Sequence, residues 1–251
     1  MIQNEALVSI VMPAYNSGKF IGKAIDSVIA QTYRNWELIV VDDASTDNTA
    51  GVVDKYTKKD SRIKYHRLDK NSGAAVARNT AVKLARGKYM AFIDSDDIWF
   101  PEKLTKQISF MDEKDYLATC TSYTKIDEEG KYLNKTVGVR KKSSYDDILK
   151  KNPGNSTVIY NAEAIGKITI PNIRKRNDYV MWLSVVKKTG MIYGIEEPLA
   201  SHRIREGSLS KKKVDLVGYH WKVYRDIEEL SLLKSAYLIV YWVVITLFKL
   251  R

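Results

Sequence analysis

Three aspartates within four positions, Asp94, Asp96 and Asp97, directly follow a short apolar run in the stretch FIDSDDIW. Aspartate favours turns over strands, so a single one would explain why a strand ends here. Three crowded carboxylates, however, repel one another unless a cation or a positive group neutralises them. Because Mg²⁺ and Mn²⁺ prefer hard oxygen ligands, the cluster predicts a divalent cation that bridges a diphosphate.

Two more polar segments follow apolar runs, PAYNSG at residues 13–18 and DDAS at residues 42–45. In open parallel sheets, ligands bind beyond the carboxyl ends of the strands, so these segments are expected to meet the aspartates at one edge. The Tyr15 turn supplies a ring and backbone amides, and Asp42 or Asp43 can bond a uracil imide or a ribose hydroxyl. The pattern predicts a nucleotide cleft without a glycine-rich phosphate loop.

The first hundred residues alternate strand and helix patterns. Apolar runs predict strands at 7–13, 36–43, 63–68 and 88–94, and periodicity predicts helices at 19–31 and 74–85. Another helix is expected after Ser45, which can serve as its N-cap. This alternation is typical of an α/β fold with a mostly parallel sheet and helices on its faces.

The second half of the chain is less regular. We expect helices at 102–113 and 178–189, extended segments at 117–126 and near residues 193 and 200, and loops with short strands from 131 to 171. Two helices are predicted to close the chain. In the last one, 236–248, only Thr246 is polar, and Lys234, Lys249 and Arg251 flank the run.

This apolar run of the last helix is shorter than the roughly 20 residues that a spanning helix needs. Its aromatic residues between basic ends favour a helix that lies on a bilayer surface, with a core or oligomer-interface helix as the alternative.

The net charge of +11 also bears on which partners the protein binds. Residues 131–176 hold 11 Lys and Arg against 3 acidic residues, which suits nucleic acid, anionic lipid, a phosphorylated substrate or plain solvated surface.

The first residues and the cysteine content bear on the cellular compartment of the protein. The first residues lack the pattern of a signal peptide, and the single Cys120 fits a reducing environment and a buried position. We therefore expect a cytoplasmic protein on the inner face of the cell membrane.

Four segments in this order and spacing carry a resemblance: VSIVMPAYN, ELIVVDDASTDNT, NSGAAVARN and FIDSDDIWFPEKL. The chain resembles family 2 glycosyltransferases of the GT-A fold, densely over about residues 7–110 and more thinly to about residue 210. It is most similar to bacterial enzymes of capsular and teichuronic-type polysaccharides. The resemblance implies a GT-A domain at 1–212, with a nucleotide-sugar half (about 1–110) and an acceptor half (about 111–212), and a membrane-associating tail at 213–251.

The resemblance also implies roles for individual residues of the donor side. Asp94 and Asp96 correspond to a DxD motif that holds Mn²⁺ or Mg²⁺, with Asp96 as the direct ligand and Asp97 as a close alternative. Ser95 is expected to be small because the nucleotide packs close to it. The nucleotide and its diphosphate would be held by residues from three segments: Pro13, Tyr15, Asp43 and Arg78. For Arg78 the alternative is a salt bridge that fixes the carboxylate loop.

On the acceptor side, the resemblance implies that Asp178 is the catalytic base. In the family an acidic pair opens a helix whose Trp follows four residues later; here the pair is Asn177-Asp178 with Trp182, so Asn replaces the usual Glu. An inverting transfer needs one such carboxylate. An ordinary helix N-terminal residue is the alternative.

Further on, SHRIREGSLS falls where related enzymes place a mobile segment over the diphosphate. His202 is then a candidate third metal ligand, and Arg203 and Arg205 are candidate phosphate clamps. The implied activity is metal-dependent, inverting transfer of a sugar from a nucleotide-sugar, UDP-linked by expectation, to a hydroxyl of a lipid-linked or growing cell-surface glycan.

Three alternatives remain at this point. A nucleotidyltransferase would carry a glycine-rich basic loop after the first strand, whereas PAYNSGKF has only Gly18. A degenerate nucleotide-sugar-binding homologue would fit Asn177. A nucleic-acid-binding protein would fit the charge, yet no recognition module is visible, and clustered carboxylates repel phosphate, so we expect no nucleic-acid partner.

Overall fold

The computed structural model describes residues 5–205 and 213–248. Within these ranges, a ten-stranded sheet lies at the centre of the molecule. Its strands are β1 Val8–Ala14, β2 Trp36–Asp42, β3 Ile63–Arg67, β4 Tyr89–Phe92, β5 Ile98–Trp99, β6 Ala118–Ile126, β7 Tyr132–Val137, β8 Lys142–Ser143, β9 Ile159–Asn161 and β10 Ile192–Arg203. The helices are α1 Ile21–Ile29, α2 Thr49–Thr57, α3 Ala74–Leu84, α4 Lys103–Lys114, α5 Tyr145–Lys150, α6 Ala162–Ile165, α7 Asn177–Thr189, α8 Lys213–Lys222 and α9 Leu232–Leu247.

The main strands run in the order β3-β2-β1-β4-β9-β6-β10-β5, with β7 beside β6 and β8 beside β10. The first four strands of this order are parallel, and β6 and β10 are parallel to each other. Between the two groups lies β9, antiparallel to both β4 and β6. The predicted α/β fold is therefore confirmed; the sheet is mixed, and the antiparallel strand β9 joins its two parallel groups.

Alternate residues of the central strands point to opposite faces, and each face is covered by helices. Ile10 and Met12 of β1 belong to the core cluster that includes side chains of α1, α2 and α4, whereas Val11 belongs to the cluster that includes side chains of α3, α5, α7 and α9. The strands are buried on both sides, which explains their continuous apolar runs. Cys120 of β6 lies in the core, as predicted.

Most predicted elements agree with the observed ones to within two or three residues. Two differences matter. The segment 131–171 contains helices α5 and α6 and the central strand β9, which its basic composition did not suggest. The helix after the second strand begins at Thr49, and its N-cap is Asn48, so the prediction that Ser45 caps it is wrong. Ser45 Oγ instead donates to Asp42 Oδ1 (2.5 Å).

The C-terminal helices cover the face that carries α5 and α7. Between α8 and α9 the chain forms a π-helical turn, Val223–Ile227, and α9 contacts both α5 and α8. Helix α9 buries Leu238 and Trp242 but leaves several large apolar side chains in water. Among the described residues, no helix is long and apolar enough to cross a membrane. Lys249 and Arg251 lie outside the described residues.

Candidate active site

The three aspartates lie where strand β4 ends at the carboxyl edge of the sheet. Asp97 N–H donates to the Asp94 carbonyl (3.0 Å), which closes a tight turn before β5. The turn places Ser95 against the loop after β1, where its hydroxyl lies 2.7 Å from Ser17 Oγ. Ser95 is buried by this contact, so a larger side chain would push the two loops apart.

Asp97 is the anchored member of the cluster. Its Oδ2 accepts from Ser156 Oγ (2.5 Å) and lies 3.3 Å from His202 Nδ1, and its Oδ1 accepts from Arg203 N–H (3.0 Å). With both oxygens engaged and 1% of its side chain exposed, Asp97 links β4, β10 and the segment before β9. His202, the other candidate metal ligand, faces Asp97 and stays half-exposed.

Asp96 faces the cleft beside Arg205. Arg205 Nε lies 2.8 Å from Asp96 Oδ2, and Arg203 Nε donates to the Asp96 carbonyl (2.8 Å). Arg203 is buried and also donates to the carbonyls of Asp127 and Glu128, so these contacts brace the loop. Arg205 is the last described residue before the gap at 206–212, and the rest of the predicted closing segment lies outside the described residues.

The pKa values of the cluster are shifted by burial and by an excess of negative charge. Desolvation and the neighbouring Asp97 charge raise the pKa of Asp94 to about 7, and the same causes raise the pKa of Asp96. Burial acts to raise the pKa of Asp97, but the charge and hydrogen bond of His202 hold that pKa below its usual value. The Asp97 charge in turn raises the pKa of His202 to about 9. A cation at Asp94 and Asp96 would relieve this repulsion.

Asp94 lies between Arg78 and Asn155. Asn155 Nδ2 donates to Asp94 Oδ1 (2.7 Å), and Arg78 Nη2 lies 3.5 Å from the same oxygen. Arg78 is 3% exposed, and its Nε and Nη1 have no hydrogen-bond partner among the described residues. A buried guanidinium with unmatched donors suits an anionic ligand, so the donor and salt-bridge interpretations of Arg78 are compatible.

The loops after β1 and β2 form the other rim. Asn16 N–H donates to Ser45 Oγ (2.9 Å), and Thr46 N–H donates to Asn16 Oδ1 (2.9 Å), which locks the two loops together. Tyr15, next to Asn16 in the chain, is half-exposed. Pro13 occupies β1 beyond its pairing with β4, where a missing N–H costs no ladder bond.

The two aspartates that end β2 have different surroundings. Asp43 accepts from the N–H groups of Ser72 (2.7 Å) and Gly73 (2.8 Å), at the start of α3. Asp42 is fully buried and accepts from Tyr65 Oη (2.6 Å) as well as from Ser45. Asp43 is therefore the one of the two that lies beside the segment of α3 and Arg78.

Asp178 lies in the first turn of α7, as predicted, and belongs to the same cleft. Its charge contributes to the raised pKa of Asp94, and its Oδ2 accepts from Asn152 Nδ2 (2.7 Å). Asn152, Asn155 and Ser156 thus connect Asp178, Asp94 and Asp97 within one segment. Sequence reasoning missed these three residues, although NPGNS is a run of turn formers that could have marked a structured loop.

The donor set fits a divalent cation. Asp94 and Asp96 offer carboxylate oxygens at one rim, and Mg²⁺ is commonly held by one or two carboxylates together with substrate phosphates. Within the described ranges, no group of three or more His, Cys, Asp or Glu side chains is arranged to hold a metal by itself. A cation here would therefore share its ligands between the protein and a bound diphosphate.

Comparison with known proteins identifies the family of the chain. The family described as Glycosyl transferase family 2 matches residues 9–167. TuaG of Bacillus subtilis, a glycosyltransferase assigned to teichuronic acid biosynthesis, is 42% identical over 235 residues, which cover 93% of each chain. The chain belongs to glycosyl transferase family 2.

Another family 2 relative carries a more specific description. The Escherichia coli enzyme WfgD, a UDP-Glc:α-D-GlcNAc-diphosphoundecaprenol β-1,3-glucosyltransferase, is 36% identical over 246 residues, covering 96% of this chain and 94% of WfgD. Membership and these relatives identify the chain as a glycosyltransferase. They lend no support to the nucleotidyltransferase and nucleic-acid-binding alternatives.

Solved structures agree with the predicted GT-A fold of this family 2 member. Staphylococcus aureus TarS (residues 1–349), solved with UDP-GlcNAc, superposes with a TM-score of 0.72 at 23% identity, covering 94% of this chain and 71% of that one. The mannosyltransferase PcManGT from Pyrobaculum calidifontis, solved with GDP-Man and Mn²⁺, gives a TM-score of 0.69 at 16% identity, covering 89% and 64%.

Proposed function

We propose that this family 2 enzyme transfers a sugar from a UDP-linked donor to a hydroxyl of a lipid-linked or growing cell-surface glycan, with inversion and with Mn²⁺ or Mg²⁺. One observation carries the proposal: the segment 152–157 joins a carboxylate cluster suited to a metal diphosphate to a separate carboxylate, Asp178, across one cleft. The two halves of a displacement reaction need that separation.

The donor would occupy the rim between the loops after β1 and β2 and the cluster. Tyr15 is exposed enough to stack on a base, and Asp43, which ends β2 at the same rim, would bond the ribose. Arg78 would donate its buried, unmatched Nε and Nη1 to the diphosphate. Asp94 and Asp96 would hold the metal, which supplies positive charge to the departing diphosphate. Arg205, beside Asp96, adds a second cation at this rim.

Asp178 would take the proton of the attacking acceptor hydroxyl. The acceptor oxygen forms a bond to the anomeric carbon as the bond from that carbon to the diphosphate oxygen breaks, and the hydroxyl proton passes to the Asp178 carboxylate. Asn152 keeps that carboxylate oriented through its 2.7 Å hydrogen bond. A single carboxylate suffices because an inverting transfer forms no covalent sugar–enzyme intermediate.

A lipid-linked acceptor is supported by the tail as well as by the description of WfgD. Leu233, Tyr237, Val240, Val244 and Leu247 of α9 recur at helical spacing and are 41–84% exposed. Such an apolar stripe on a strongly basic protein suits the surface of an anionic membrane. We therefore propose peripheral attachment at the inner membrane face, with α9 in the interface.

The first test is a panel of UDP-, GDP- and dTDP-sugars incubated with Mn²⁺, with release of nucleoside diphosphate as the readout. We expect release from one UDP-sugar, loss of release in EDTA, and loss of release in Asp96→Asn. Asp54→Asn, a change at an exposed carboxylate on α2, should behave like the wild type. If no donor is bound or turned over with metal present, the proposal of an active transferase is wrong.

The second test separates donor binding from transfer. Asp178→Asn should bind the donor as the wild type does, measured by calorimetry, yet lose roughly 10²–10⁴-fold in transfer to a membrane lipid extract, the usual contribution of a general base. Equal transfer rates in the two proteins would remove Asp178 from the proposed role.

A further inference from the structure

A small basic cavity lies beside Asn152, the residue that bonds Asp178. Its volume is about 60 Å³, room for several water molecules or one small polyatomic group. Lys150, Lys151, Asn152, Arg176, His220 and Trp242 are among its lining residues. Only Asn152 has a role in the mechanism above.

The lining of this cavity is positively charged. Three of its side chains are Lys or Arg, and no Asp or Glu side chain lines it in the described part of the chain. Lys151 Nζ also donates to the Gly138 carbonyl (2.8 Å). An anion is the ligand that this lining favours.

A second observation points to a hydrogen-bond acceptor. Trp242 is 6% exposed, and its indole N–H has no hydrogen-bond partner among the described residues. Leaving a buried donor unmatched is costly, so a ligand with acceptor oxygens would be stabilised here. Arg176, the residue before α7, is held at φ 65°, a strained conformation for a residue with a side chain, and its guanidinium lies 5.9 Å from the Trp242 ring. Strain of this kind clusters at ligand sites.

The cavity connects the two ends expected of a lipid-linked acceptor. Asn152 lines it and bonds Asp178, so a sugar attached to a bound anion would lie near the proposed base. Trp242 belongs to α9, and the exposed apolar stripe occupies the opposite side of that helix. A hydrophobic chain attached to the same anion would have to pass around α9 to reach the stripe at the membrane surface.

We propose that this cavity binds the phosphate group that links the acceptor sugar to its lipid. The inference rests on the proposed function and adds a subsite to it: the acceptor is recognised by its phosphate, between a sugar directed to Asp178 and a lipid directed to α9. Phospholipid headgroups carry the same chemistry, so the test distinguishes a phosphate-linked prenyl chain from a membrane surface.

The test is calorimetric binding of farnesyl diphosphate and of farnesol to the full chain, in EDTA so that the aspartate cluster repels diphosphate. We expect wild type to bind farnesyl diphosphate more tightly than farnesol. Lys150→Gln/Lys151→Gln should weaken the diphosphate ligand at least about tenfold, since hydrogen bonds to charged groups are lost. Lys55→Gln/Lys59→Gln removes two exposed charges on and just after α2 and should bind like the wild type.

Several results would overturn the inference. Equal affinity of wild type and the Lys150/Lys151 variant would do so, as would equal affinity for farnesol and its diphosphate. A third such result would be that the Lys150/Lys151 variant loses binding to phosphatidylglycerol vesicles but keeps its affinity for farnesyl diphosphate. The lysines would then bind the membrane surface. Lys150→Gln alone, which leaves the Lys151–Gly138 contact intact, repeats the test if the double variant unfolds. Failure to release nucleoside diphosphate from any donor would instead contradict the proposed function, and this binding result would still be readable.

Discussion

At the scale of single residues, the site depends on side-chain amides and hydroxyls as much as on its charges. Ser156, Asn155 and Asn152 bond Asp97, Asp94 and Asp178 respectively, so neutral groups help to fix three of the four carboxylates. Neutral donors hold a carboxylate without cancelling its charge. Asp94 and Asp178 therefore remain able to attract a metal and a proton.

Asn152→Ala tests this arrangement. Removing the hydrogen bond to the Asp178 carboxylate should lower kcat by about tenfold, the effect expected for one hydrogen bond to a charged group. The donor KM should stay unchanged because, among the described residues, the hydrogen bonds of Asn152 go to Asp178 and Gly154 and none goes to the aspartate cluster. Steady-state kinetics would show this split. Asn161→Ala, which removes the N-cap of α6, serves as the control, and an equal fall in kcat there would mean that the effect is structural.

Lys103 gives the fold a pH dependence. The side chain is fully buried beside Gln107 and the Trp99 ring, and burial lowers its pKa to about 7. The pKa of a lysine in the unfolded chain is about 10.4, so between pH 7 and 10 the unfolded state holds one more proton than the folded state. The free energy of unfolding should therefore rise with pH, by up to about 1.4 kcal/mol per pH unit from this group.

Denaturant unfolding at pH 7, 8 and 9 measures this contribution. Lys103→Met should flatten the rise because it removes the titrating group. Lys106→Met, one turn away on α4 and paired with Glu197 at the surface, should keep the wild-type slope. An unchanged slope in Lys103→Met would show that the lysine is charged in the folded protein.

At the scale of elements, strand β10 packs closely against the basic segment that follows β7. Gly194 of β10 lies so close to this segment that an added Cβ would be 2.1 Å from the Arg140 carbonyl. Gly194→Ala should therefore destabilise the protein by about 1–3 kcal/mol, the cost of overpacking. Gly138→Ala is the matched control, since no atom lies within 4 Å of its added Cβ. Urea midpoints of the two variants should differ; equal midpoints would mean that the segment moves away freely.

At the scale of the whole molecule, the apolar stripe of α9 and the basic charge are expected to act together. Leu233→Ser and Val240→Ser should each weaken binding to phosphatidylglycerol vesicles by about 30-fold, given about 2 kcal/mol for each apolar side chain buried. Leu84→Ser changes an exposed leucine on α3 and should have no effect. Vesicle flotation measures all three, and undiminished binding of the α9 variants would assign the stripe to a protein contact.

The sequence predicted the first half of the fold well and the middle poorly, for a physical reason. Strands buried on both faces read as continuous apolar runs, and their carboxyl ends must share an edge, so the positions of Asp43 and Asp94 could be inferred. Strand β9 is only three residues long, and the helices beside it are short, so no period is visible there. Asn152 and Asn155 act through tertiary hydrogen bonds, which no local pattern encodes.

Ser45 illustrates the same limit on a smaller scale. Its residue type suits an N-cap, but the buried Asp42 carboxylate three residues earlier offers a stronger partner, and the helix begins later at Thr49. The residue type determines which hydrogen bonds a serine can make, and the tertiary surroundings determine which of them forms.

The central position of β9 has a consequence for synthesis on the ribosome. Until residues 159–161 have emerged, β4 has an open edge on the side where β9 will pair, and unpaired strand edges template association between chains. The nascent amino-terminal half thus passes through a period in which it can aggregate. Chaperone capture of stalled chains should drop once the ribosome has moved far enough past β9 to let it insert.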